Sequence, residues 1–202
     1  ILFGDEDALT SGDLTAADAN AWQGTCDNIR IDDPTEYGIR VNSRGHTWEF
    51  INCSPRTEVA GAHAGVFNSE NVNVIGGQWG ATGVGGRNLY WYNISDGDQV
   101  GGSACDTRFE GKDAGEVAVD IDGVTNFWEG IVLERLHANF HSNSVAGTLV
   151  RFGRAKRCWM LNPIIQNPTF AGGGTLVEWG EHSLGCGVVC NYQAAIAPVS
   201  VH

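Results

Sequence analysis

The chain has 202 residues, 42% of them hydrophobic, enough for one domain with a substantial core. Its net charge of −12, from 24 Asp and Glu against 12 Lys and Arg, excludes a nucleic-acid binder that works through phosphate contacts. No apolar run has the length of a transmembrane helix or the form of a secretory signal, and the 6 cysteines include no CxxC pair for a zinc ribbon.

Residues 1–36 read differently from the rest. Asp5-Glu6-Asp7 is a solvated acidic run. Thr10 to Trp22 is predicted as a short helix, with Thr15 as N-cap and Asp18 as its capping-box partner. Leu14-Thr15-Ala16-Ala17-Asp18-Ala19-Asn20 is similar to a segment that precedes the shaft in viral tail-fibre and tailspike proteins. The helix is expected to cover the end of a first coil, whose strand edges would otherwise stay unpaired. Residues 26–36 add one short strand and a turn.

From residue 37 the chain repeats. Gly38-Ile39-Arg40-Val41-Asn42 and Gly65-Val66-Phe67-Asn68 start 27 residues apart, and Trp48–Asn52 and Asn71–Gly77 follow them. Residues 54–63 and 78–87 read as glycine- and polar-rich loops. A less regular coil lies between Asn88 and Gly115. Its stretch from Asp96 to Asp113 reads as a solvated acidic loop, since Asp96-Gly97-Asp98 is too short for a calcium motif. Val117–Gly123 and Gly130–Leu133 make a further coil.

The clearest pair is Gly147-Thr148-Leu149-Val150-Arg151-Phe152-Gly153 and Gly174-Thr175-Leu176-Val177-Glu178-Trp179-Gly180, again 27 residues apart. Ile164–Asn167 rhymes with Val188–Asn191. Val150 and Phe152 alternate with Leu149 and Arg151, a strand period, and no run has a helical one. Short strands at a fixed period predict coils stacked ~4.8 Å apart. Asn-Gly hairpin signals, which an antiparallel sandwich would favour, are absent.

Asn71-Val72-Asn73-Val74-Ile75-Gly76-Gly77 resembles the recurring strand of right-handed parallel β-helix proteins of the pectate-lyase-like group. That group includes polysaccharide lyases, glycoside hydrolases and viral tailspikes. The resemblance implies an all-β, right-handed parallel β-helix of about six coils. Residues 1–36 would form the cap or attachment segment, 37–193 the β-helix and 194–202 a tail.

Strand alternation turns Val119, Ile121, Val150, Phe152, Val177 and Trp179 inward. Asp120, Arg151 and Glu178 then face outward in register on three coils, with Asp122 on the same face. Such opposed charges form a ladder worth roughly 0.2–1 kcal/mol per pair, less in salt. As catalytic candidates, Asp120 and Glu178 would sit two rungs apart, about 9–10 Å. That is near the ~6.5–9.5 Å carboxyl separation of an inverting glycosidase. Arg151 between them would hold both ionised, whereas a general acid needs a raised pKa. The resemblance to lyases implies an acidic calcium cluster with a basic residue. Asp120 and Asp122 with Arg151 or Arg154 are the candidates, but no segment matches the family's catalytic motif.

Trp91, Trp128 and Trp159 are the aromatics that could stack on sugar rings if exposed. The ligand-binding candidates are therefore Asp122, Arg151, Arg154 and Trp159. His182, Cys186 and Cys190 lie four apart but in strand and turn, so no metal site is expected, and His137 and His141 read as ordinary loop or core residues. The cysteines are expected as buried thiols within the coils, or as one or two disulfides involving Cys26 or Cys105. Asn52-Cys53-Ser54 and Asn93-Ile94-Ser95 fit the N-glycosylation acceptor pattern.

Only two lysines, Lys112 and Lys156, stand against ten arginines. This resembles the composition of proteins from salt-loving archaea or their viruses. The expected function is non-enzymatic: an extracellular or virion-surface spike, fibre or decoration protein that binds partner subunits and host glycans, without cofactor, nucleic acid or membrane insertion. The alternative is a polysaccharide lyase or glycoside hydrolase of the same fold. The apolar tail from Ala194 to His202 is expected to bury against another subunit, a trimer by analogy with spikes. Screening of carboxylate repulsion should raise the melting temperature between dilute and molar KCl; a flat or falling trend in a thermal scan would contradict the halophilic reading.

Overall fold

Up to three short strands of the three larger sheets make up each described coil of this chain. The computed structural model describes residues 1–4, 23–42, 47–110, 116–139, 147–166, 175–190 and 199–201. The strands pair in parallel throughout and stack as an all-β solenoid of about 5 turns, with no helix among the described residues. The helix expected over residues 10–22 lies outside them.

The widest sheet has eight strands: Leu2–Gly4, Tyr37–Asn42, His63–Asn68, Leu89–Asn93, Val117–Gly123, Thr148–Phe152, Thr175–Trp179 and Val199–Val201. A second sheet of seven runs from Gln23–Asp27 to Gly187–Val189. A third sheet of six runs from Arg30–Asp32 to Ile164–Gln166, and a small three-stranded sheet covers one corner.

Several sequence expectations change here. A coil has up to three such strands rather than two runs, because Ser54–Thr57 and Gln78–Ala81 are strands of the third sheet, not loops. They are four residues long and carry a proline or glycine, so their alternation is easily missed. The stretch from Asp96 likewise contains Gln99–Val100, Ser103–Cys105 and Arg108–Glu110. Val188 pairs with Met160, not with Ile165, so the rhyme of the second halves joined strands of different sheets. Ile39, not Gly38, lies beside Gly65: coils differ in length at their corners, and a one-residue offset exchanges the two faces. Strands within residues 1–36 join all three sheets, and Val199–Val201 pairs with Thr175–Trp179. The stack thus extends beyond residues 37–193, and this part of the tail lies on its own chain.

The interior is filled in columns. Val41, Phe67, Trp91, Ile121, Phe152 and Trp179 share one inward column of the widest sheet. Rings one coil apart meet at 5.2 Å for Phe67–Trp91 and for Phe152–Trp179. Facing them in the second sheet are Phe50, Val74, Ala104, Leu133, Met160 and Val188. Volume is balanced within a coil: the one carrying Trp91 and Phe109 also carries the small Ala104, all three fully buried.

The corners hold the coils in register. Between the second and third sheets the positions Asn28, Asn52, Gly76, Asp106, Arg135 and Asn162 all adopt positive φ, 47° to 65°. The N–H of each donates to the carbonyl one coil further on, from Asn28 to Ile51 through Asn162 to Val189, at 2.7–3.1 Å. A second column, Asn71, Gly101, Gly130 and Arg157, does the same where the chain enters the second sheet, and Gly185 continues its positive φ. Left-handed backbone is tolerated by Gly, Asn and Asp, which explains the residue choice. Arg135 is the exception in the first column, and its guanidinium is held at 2.7 Å by Asp106 in the same corner one coil earlier. Gly77, next to this column, has the Cys53 carbonyl oxygen 2.0 Å from where a Cβ would stand, so no side chain fits. Asn52→Val, a β-branched residue at φ 52°, should cost about 1–2 kcal/mol in chemical denaturation, whereas Asn52→Gly should stay within about 0.5 kcal/mol.

Candidate functional site

The outward face of the widest sheet carries the charge row. Strand register places Arg40, Val66, Tyr90, Asp120, Arg151 and Glu178 in one column, a rung apart. Asp120, Arg151 and Glu178 therefore stand in the order the sequence suggested.

Asp120 is not solvated, however; it has no exposed surface. Arg87 Nε donates to its Oδ2 at 2.7 Å, and Arg151 donates from Nε to Oδ1 at 2.8 Å and from Nη2 to Oδ2 at 2.5 Å. The two guanidiniums reach it from opposite neighbouring coils and close over it. Tyr90 fills the adjacent rung, with Arg87 over its ring at 5.1 Å. Burial, and then the charge of Asp120, push the Tyr90 phenol well above its ordinary value. Burial works against the charge on Arg151, but Asp120, then Asp122 and Glu178, outweigh it and raise the guanidinium further. A carboxylate sealed this way cannot reach a glycosidic oxygen, which removes Asp120 from the catalytic pair. Arg87 was missed because it sits before its strand, outside the alternation that revealed the others.

Beside the row runs a shallow furrow of about 310 Å³. Asp122, Arg151, Arg154, Glu178, Glu181 and His182 line it, together with glycines that include Gly153 and Gly180. Gly153 leaves room there: a Cβ would lie 2.6 Å from Asp122 Oδ1 and displace that carboxylate. That oxygen instead accepts the Arg154 N–H at 3.1 Å, and Asp122 Oδ2 lies 3.6 Å from Arg151 Nη2. Glu178 accepts from the Thr148 hydroxyl at 3.3 Å, and Glu181 lies 2.9 Å from His182 Nε2. Of the candidates, Asp122, Arg151, Arg154 and Glu178 are thus brought together.

Trp159 is not among them. It is on the second sheet, 41% exposed, with its ring lying against Gly187 on the next coil. Trp91 and Trp128 are buried in the core. Asn93 is fully buried and donates to the Gly97 and Phe127 carbonyls at 2.9 Å, so it serves a corner and not a glycan. The acidic stretch is tied down as well. Asp98 binds Lys156 at 2.7 Å and accepts the Phe127 N–H at 2.9 Å, bonds that hold its carboxyl below the usual range. No group of three or more His, Cys, Asp or Glu that could hold a metal lies among the described residues. His141 lies outside them.

Fold and site together define a class: a parallel β-solenoid with a charge-paired wide face and a polar furrow. In comparison with known proteins, no family model, characterised protein or solved structure matches the chain.

The buried ion network generates a mutational contrast. Asp120→Asn leaves two guanidiniums facing a neutral group and should cost about 3–5 kcal/mol in denaturant unfolding. Glu178→Gln, on the furrow side, should stay within about 0.5 kcal/mol. Equal losses for the two would mean that Asp120 is not the centre of the network.

Proposed function

We propose that this protein is a non-enzymatic structural and adhesive component of an extracellular or virion surface, and in particular a spike, fibre or decoration protein of a haloarchaeal virus. It binds partner subunits and, through its wide face, a surface glycan. The observation that carries this reading is the state of Asp120. The carboxylate at the middle of the charge row is locked between Arg87 and Arg151 and closed to solvent, which suits a rigid plate and not an acid catalyst. The furrow beside it supports the adhesive part. Its carboxylates, Arg154 and His182 offer donors and acceptors to sugar hydroxyls over a floor of glycine backbone. The acidic, lysine-poor composition supports the halophilic setting.

A polysaccharide lyase or glycoside hydrolase is the competing reading, and the observation in its favour is that Glu178 and Glu181 both line the open furrow. The two readings separate on incubation with neutral and acidic polysaccharides, host envelope glycans included, in molar salt. Retention without products is expected, with Arg154→Ala and His182→Ala each weakening retention severalfold. New reducing ends or unsaturated sugars, lost on Glu178→Gln, would establish the enzyme instead.

A further inference from the structure

The last described coil carries an arrangement that neither the charge row nor the furrow uses. Trp159 pairs with Gly187, which sets the residues before them, Cys158 and Cys186, on neighbouring rungs. The Gly187 N–H donates to the Cys158 carbonyl at 3.0 Å, fixing that register at the cysteines themselves. Both side chains turn toward the interior. Cys158 is fully buried and donates to the Lys156 carbonyl at 3.3 Å, while Cys186 is half-buried and donates to the Ala155 carbonyl at 3.4 Å. Neighbouring parallel strands hold in-register Cα atoms ~4.8 Å apart, inside the ~4.4–6.8 Å range that a disulfide spans. Elsewhere Cys26 pairs with Phe50 and Cys105 with Ile75 and Glu134, while the Cys53 thiol donates to the Cys26 carbonyl at 3.4 Å.

We infer that Cys158 and Cys186 form a redox clasp, a dithiol that low-molecular-weight disulfides convert into a bond locking the last described coil to the one before it. Cys186 is the entry point, being the more exposed of the two. Its thiol is also the more acidic, because the neighbouring Cys158 favours its thiolate, while Cys186 and burial push the Cys158 thiol up. The Cys186 thiolate attacks one sulfur of the small disulfide and expels a small thiolate. Cys158 then gives up its proton and attacks the Cys186 sulfur of the mixed disulfide, expelling the second small thiolate. Two cysteine thiols lose two electrons and two protons; the small disulfide gains them and leaves as two thiols. The position suits the purpose. Among the described residues Gly187–Val189 is the last strand of the second sheet, with Leu184 and Val189 about half exposed. End coils are where a solenoid frays first.

The test equilibrates the intact protein with reduced and oxidised glutathione, quenches with acid, alkylates the free thiols and maps the peptides by mass spectrometry. A peptide linking Cys158 to Cys186, with the melting temperature raised by roughly 5–10 °C over the reduced protein, is the expected result. Cys186→Ser should lose both the link and the shift. Linkage of Cys186 to Cys190, a stable glutathione adduct on Cys186, or alkylation of both cysteines after Cys190 has reacted would each overturn the clasp. The peptide map is read on the wild-type chain, so the outcome does not depend on how the variant folds.

Discussion

Everything in this fold depends on backbone hydrogen bonds that run along the stack without a break at the corners. A coil that bent only through ordinary loops would leave N–H groups unpaired at each turn and free each coil to slide against the next. At two columns of corners a left-handed residue turns the chain while its N–H still bonds the coil beyond, as from Asn52 to Ile75 or Gly130 to Lys156. The sheets, the aromatic columns and the charge row inherit their register from that arrangement.

Register explains how the chain can bury an ionised carboxylate on the outer face of a sheet. Isolated, Asp120 would be costly to remove from water. Stacking brings Arg87 and Arg151 to it from the two sides, so its oxygens are met by guanidinium donors from both neighbouring coils. The same stacking places bare glycine beside the row and opens the furrow. One face thus holds a sealed ion network and an open polar groove a few residues apart. The first stiffens the plate, and the second leaves hydrogen-bonding groups open to solvent.

The interior and the edge of the stack follow different rules. Inside, large and small side chains balance within each coil, and thiols and methionine fill what aromatics leave. Cys158 and Cys186 stand just before the last two described strands of the second sheet, neighbours in register, where a covalent tie would join two coils directly.

Much of this was legible in the sequence, and the reason is the period. A repeat of about 27 residues with alternating apolar positions is imposed by the stack itself. The all-β parallel solenoid, the inward set from Val119 to Val177 and the order Asp120, Arg151, Glu178 could therefore be read directly from Thr148–Phe152 and Thr175–Trp179. Strands of three or four residues, such as Ser54–Thr57 and Trp159–Leu161, are too short for their alternation to stand out from loop sequence, so one strand of a coil could go unread. What only the tertiary structure decided is burial and partnership. Alternation says that Asp120 faces out, but an outward side chain is exposed only if nothing folds over it. Arg87, 33 residues earlier and outside any repeat, folds over it. The separation of Trp159 from the furrow and the meeting of Cys158 with Cys186 have the same origin. Both depend on how many residues each corner takes, and corner lengths vary from coil to coil without any pattern in the sequence.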